Sequence, residues 1–328
     1  MKKTFLTLAL TLVSLVVFAQ GKPHAKIFSN FNYDLSAEED AQAFKEFEIK
    51  RAYLGYSHQM SDEFSAKVTF EVGSNDGGSA YTAILKIASL NWNATDNLSI
   101  NFGMVGTKNF KFMEKAWGKR YIYKSFQDEN KWANAADAGA TFDYTISENL
   151  SVDAQILNGE GYKKTQGDNG LMRGGVGMMY SMNNIKVRLS RYMMPTSSYT
   201  DADATQNINT LALVYTSGNL TVGGEYNMRE NSGNTVDNTS TAMSVYGTMK
   251  MNDYAFFARY DDASSENAVG ERWDIANEGT LMIFGVERKM SDAVKASINI
   301  QNWTDATLEG EEEAEAQSTL YLNLEYKF

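Results

Sequence analysis

The sequence predicts an all-β fold: a transmembrane antiparallel β-barrel of about 16 strands, with long extracellular loops and short periplasmic turns. Three observations predict it. Short segments alternate apolar and polar residues along most of the chain, their connections alternate between tight and long, and the chain ends on such a segment with an aromatic residue, Phe328. Alternation puts the apolar residues on one face of a strand. A barrel can show that face to lipid because closure leaves no backbone group unpaired in hydrocarbon. A soluble sandwich has no reason to sort its loops by length onto opposite ends.

Composition removes most other classes. There is no cysteine, so no disulfide framework, thiolate metal site or Cys nucleophile, and the only histidines are His24 and His58. No metal, cofactor or catalytic residue is expected. The formal charge of −11 argues against a nucleic-acid partner, which needs a basic surface.

Taken in order, the first element is MKKTFLTLALTLVSLVVFAQ, with Lys2 and Lys3 ahead of an apolar run and Ala19 at a plausible cleavage site. We read residues 1–19 as a secretory signal peptide and residues 20–328 as one barrel domain. No other stretch approaches the 18 apolar residues of a spanning helix. Sixteen strand segments follow: 25–35, 45–59, 64–73, 82–93, 98–105, 138–146, 150–158, 171–181, 185–194, 208–217, 220–230, 240–251, 254–264, 280–289, 293–304 and 318–328. Phe64, Ala66, Val68 and Phe70 oppose Ser65, Lys67, Thr69 and Glu71 in the third. Leu98, Ile100 and Phe102 oppose Ser99 and Asn101 in the fifth, and Phe142, Tyr144 and Ile146 oppose Thr141, Asp143 and Thr145 in the sixth. In the eleventh, Leu220, Val222 and Tyr226 oppose Thr221, Glu225 and Asn227; in the fifteenth, Val294, Ala296, Ile298 and Ile300 oppose Lys295, Ser297, Asn299 and Gln301. The last puts Leu320, Leu322, Leu324, Tyr326 and Phe328 on one face. Segments 45–59, 82–93 and 280–289 break phase, which predicts bulges there. Tyr33, Trp92, Tyr144, Tyr215, Tyr254, Tyr260 and Trp303, near segment ends, suit interfacial girdles. A long loop follows each odd strand and a tight turn each even one.

Three runs carry a family resemblance. FEIKRAYLGYSHQMSDEFSAKVTFEV (47–72), AGATFDYTISENLSVDAQILNGEGY (138–162) and YAFFARYDDASS (254–265) resemble hairpins of the phosphate-selective porin O and P family. The resemblance implies a homotrimeric outer-membrane channel whose third loop folds into the lumen, with basic residues sometimes favouring anions. The C-terminal strand ending in Phe328 resembles the signal read by the barrel-assembly machinery. The sequence departs from the phosphate-selective pattern in its charge. Lys67, Lys186, Arg188, Lys250 and Lys295 share the predicted lumen face with Glu71, Asp143, Asp153, Glu225 and Glu325, which is no basic ladder. Phosphate selectivity is therefore not carried over.

The third long connection, 106–137, is the candidate constriction. Its cations Lys108, Lys111, Lys115, Lys119, Arg120, Lys124 and Lys131 outnumber Glu114, Asp128, Glu129 and Asp137 by seven to four, interleaved with Phe110, Phe112, Trp117, Tyr121, Tyr123, Phe126 and Trp132. A loop this apolar packs more easily on the inner wall than in solvent. There its cations would narrow the pore and raise the local anion concentration. A trimer-contact loop or a short helix over the mouth are the other readings. The acidic eighth loop, with Asp305, Glu309, Glu311, Glu312, Glu313 and Glu315, reads as a solvated, self-repelling segment rather than a divalent-cation site. So do Asp261, Asp262, Glu266, Glu271, Asp274 and Glu278 of the seventh. Gly174, Gly175 and Gly177 lie in a strand pattern without a phosphate-loop signature. The expectation is an outer-membrane porin, a non-enzyme passing small hydrophilic solutes or ions by passive diffusion, with outer-membrane lipid around it. The alternative is a structural or adhesin barrel with a plugged lumen and partner-binding loops.

Overall fold

The computed structural model describes residues 21–38, 41–74, 81–167, 170–194, 204–307 and 314–328. Residues 1–19, read as a signal peptide, lie outside them, as do Glu309, Glu311, Glu312 and Glu313 of the eighth loop. Sixteen strands run β1 (Gly21–Asp34), β2 (Lys45–Gln59), β3 (Phe64–Ser74), β4 (Tyr81–Asn93), β5 (Leu98–Gly106), β6 (Ala136–Ser147), β7 (Leu150–Leu157) and β8 (Arg173–Met182). They continue as β9 (Ile185–Met194), β10 (Gln206–Ser217), β11 (Leu220–Glu230), β12 (Thr239–Met251), β13 (Tyr254–Glu266), β14 (Gly279–Lys289), β15 (Val294–Asp305) and β16 (Gln317–Lys327). Each pairs antiparallel with its chain neighbours, and β1 pairs β16 to close the barrel.

The outer face is the apolar half of the alternation. Leu54, Val68, Leu90, Phe102, Val176, Leu211, Phe256, Phe284 and Leu322 are exposed there, as are Trp92, Tyr144, Tyr215 and Tyr254 near the tight turns. The inner face is polar: Thr69, Thr141, Gln155, Asn227, Ser244, Asn299 and Asn323 are all buried. Such a barrel buries polar side chains inside and exposes oily ones outside, the reverse of a soluble protein and the arrangement a bilayer stabilises.

Register explains two of the three phase breaks. The β1 and β2 pairing skips Lys50, and the β3 and β4 pairing skips Lys86. The third expected break does not occur, because β14 keeps one register with both neighbours. Its apparent irregularity comes from Leu281 and Ile283, which are apolar yet point inward onto a cluster with Trp117 and Tyr121. Trp303 corrects the girdle expectation in the same way: it packs against that internal cluster and its indole N–H is bonded to Asp305. A further shift falls at the β6 to β7 turn, around Ile146.

Candidate functional site: the lumen and its third loop

The long connection between β5 and β6 holds two short helices, α1 (Lys111–Trp117) and α2 (Phe126–Glu129). Gly118 closes α1 at φ 67°, a left-handed cap that a side chain resists, and its N–H donates to Glu114 O at 2.9 Å. The loop's bonds then trace a path round the inner wall. Lys108 N–H donates to Gln155 Oε1 at 2.7 Å on β7, and Arg188 of β9 donates to Lys108 O at 3.2 Å. Phe110 and Met113 pack on Ala212 of β10. Trp117, Tyr121 and Ile122 pack on Tyr246, Phe257, Leu281, Ile283 and, on β1, Phe28.

The return limb follows the same wall. Arg259 of β13 donates to Lys124 O at 2.5 Å, and Gln127 Nε2 donates to Thr210 Oγ1 at 2.9 Å and Asn227 Oδ1 at 2.7 Å. Phe126 and Trp132 pack on Ile208 and Ala242. The loop thus lies along β6 to β16 and β1 and reaches β2, where Arg120 Nε donates to Tyr53 Oη at 3.4 Å and Tyr53 packs on the Trp117 cluster. Beyond that path lie β3 to β5, with Lys67, Glu71, Lys86, Asn91 and Asn101 on the inner side; Lys67 is exposed, whereas Glu71 and Lys86 are buried.

The seven loop cations divide by partner. Lys108 is paired with Asp143 (Nζ to Oδ1, 2.6 Å), Lys124 with Glu129 at 3.0 Å, and Arg120 with both Glu114 and Asp128. Burial holds the Glu114 carboxyl above its ordinary range despite the adjoining Arg120. Lys119 is buried with no ion pair among the described residues. Its ammonium donates to Thr248 Oγ1 at 2.9 Å and lies 5.6 Å from the Trp117 ring and 5.2 Å from Phe257. Desolvation pushes its pKa down to about 8. Lys111, Lys115 and Lys131 are exposed and, among the described residues, carry no ion pair. Lys111 is depressed by crowding, then by repulsion from Lys108, Lys67 and Lys115, so these ammoniums share one region. Helical spacing puts Lys111 and Lys115 on one face of α1.

The wall charges divide likewise. Arg188 binds Asp153 at 2.6 Å, and Lys295 approaches Glu287 at 3.7 Å. Glu225 is buried and accepts from Asn227 at 2.9 Å. Glu325 is half-buried, and Lys67, Lys186 and Lys250 are exposed without an ion pair among the described residues. Three wall residues escaped the sequence reading. Glu71 binds Arg51 at 3.0 Å and Lys86, and Arg259 grips Asp261 at 2.6 Å. Lys86 reaches the inner face only because of the β4 bulge, which alternation alone does not place. Three of the six seventh-loop acids are a correction, while Asp262, Glu266 and Glu271 are exposed as expected. Asp261, Asp274 and Glu278 are bound to Arg259, Arg229 and Arg272, so they are structural anchors rather than a free acidic face.

The histidines sit on opposite faces. His24 Nε2 is 3.3 Å from Thr69 Oγ1 inside, whereas His58 stacks with Tyr56 on the other side of β2. They cannot act on one substrate.

The class defined by this closed barrel, oily outside and polar inside, is the bacterial outer-membrane β-barrel. Solved structures agree on the fold. The outer-membrane channel DcaP of Acinetobacter baumannii has a TM-score of 0.71 at 12% identity, covering 94% of this chain and 97% of that one. OmpF of Salmonella typhi, in complex with daunomycin, has 0.66 at 12% identity over 94% and 97%. The trimer form of Vibrio cholerae OmpT has 0.60 at 16% over 94% and 99%. No protein-family model and no curated protein matches the chain.

Proposed function

We propose that this protein is an outer-membrane porin: a passive, non-enzymatic channel for small hydrophilic solutes or ions. The observation that carries the reading is the path of the 106–137 loop. It lies along the inner wall from β6 round to β2 and leaves the β3 to β5 wall, where Lys67 is exposed, outside its path. A plug would be expected to cover that wall as well. The passage runs between the α1 face bearing Lys111 and Lys115 and the wall bearing Lys67. Cations without carboxylate partners lie on both sides, so the constriction leans toward anions. From the porin O and P resemblance the proposal takes the channel and the homotrimer, and leaves phosphate selectivity aside.

Liposome flux tests it. Purified, folded protein should let a small neutral sugar enter vesicles many times faster than protein-free controls. Entry no faster than the controls would overturn the channel and favour the plugged adhesin barrel.

A further inference from the structure

The chain after β7 turns back over β6 before it reaches β8. Asn158 N–H donates to Ala138 O at 2.9 Å, Gly159 N–H to Asp137 Oδ2 at 2.7 Å, and Tyr162 N–H to Ala136 O at 3.0 Å. The return needs glycine at Gly161: its φ is 82°, and a Cβ there would meet the Asn134 side chain at 2.4 Å. Its effect is to carry one side chain of the fourth loop to the β3 and β4 wall. The Tyr162 hydroxyl donates to Glu71 Oε1 at 2.8 Å, and its ring lies 5.0 Å from the Lys86 ammonium, as does the Tyr53 ring.

We propose that Tyr162 is a second constriction element, held on the β3 and β4 wall where the fourth loop meets the Lys86 cage. The inference rests on the channel reading above. Glu71 fixes the ring from below, because it already binds Arg51 and Lys86 and the tyrosine adds a third tether. The ring fixes Lys86 in turn, since an ammonium between two aromatic faces is attracted to both. Arg120, which binds Glu114 of α1 and Asp128, donates to Tyr53 Oη at 3.4 Å, so the third loop reaches the same Lys86 cage through the Tyr53 ring. A loop that is otherwise extracellular thus sets part of the bore. The bore is narrowed by a neutral ring and not by another charge.

Single-channel recording of Tyr162→Ala and Tyr162→Phe in planar bilayers tests this, with polyethylene glycols of graded size as blockers. Tyr162→Ala should raise conductance on the order of 1.5-fold and admit a larger glycol, as a wider bore requires. Tyr162→Phe keeps the ring but cuts its tether, and should give wild-type mean conductance broken by extra flicker. Heat-modifiable gel mobility shows that each variant is folded. Conducting wild type with no change in Tyr162→Ala would overturn the inference alone. Absence of current in wild type and variants would overturn the channel reading and this one with it.

Discussion

Lys119 is a cation in a dry place. It is buried against Trp117, Phe257 and Thr248, and desolvation lowers its pKa to about 8 from an ordinary 10.5. The folded barrel therefore disfavours the charged form. Between pH 8 and 10.5 the unfolded chain binds the proton and the folded one does not, so this residue's contribution to stability rises with pH across that window. Below pH 8 the penalty is present in full, on the order of a few kcal/mol. Lys119→Met removes it while keeping the stem. The variant should resist guanidinium unfolding better than wild type at pH 7, with the difference shrinking by pH 10; an equal or lower midpoint at pH 7 would contradict this. Lys111 and Lys115 behave differently because they face water. Replacing both with Glu should swing the zero-current potential under a KCl gradient toward cations. An unmoved potential would remove these two residues from the conducting path.

At the scale of elements, the strands were legible because each wall residue faces either lipid or lumen, and alternation records that choice directly. Leu320, Leu322 and Leu324 against Asn323 and Glu325 needed no further information. Alternation fails where a third environment enters. Leu281, Ile283 and Trp303 are apolar and inward because a loop packs on them, so β14 looked out of phase and Trp303 looked interfacial. The bulges at Lys50 and Lys86 were visible as phase breaks, but not which side chain each would turn inward. The third loop's aromatic content was legible, whereas the pairing of its cations was not. Lys108 meets Asp143 across 35 residues of sequence, and nothing local signals that. The loop's hold on the wall makes a prediction at this scale. Trp117 is 2% exposed and stacks at its edge on Phe257, with centroids 5.9 Å apart. Trp117→Ala should cost about 3–5 kcal/mol of loop anchoring, the range for an aromatic removed from a core. Limited proteolysis should then cut within the 106–137 loop, while the barrel remains intact on a gel. A loop as resistant as in wild type would show that its other anchors suffice.

At the scale of the whole molecule, one physical trade explains the design. Sixteen strands closed in a ring satisfy every ladder inside hydrocarbon, but they enclose a bore that must be filled, narrowed or left open. This chain builds a second hydrophobic cluster inside the ring to hold a charged loop against one side. On the proposed reading, the other side is left to water and ions. The absence of cysteine in the sequence makes that arrangement directly measurable. A single thiol introduced by Lys111→Cys should be the only target for a small, negatively charged methanethiosulfonate added to an open channel. The account predicts stepwise current from the variant and a further stepwise change as each channel is modified. Steady current untouched by the reagent, or folded protein that carries no current, would contradict a passage between α1 and the β3 to β5 wall.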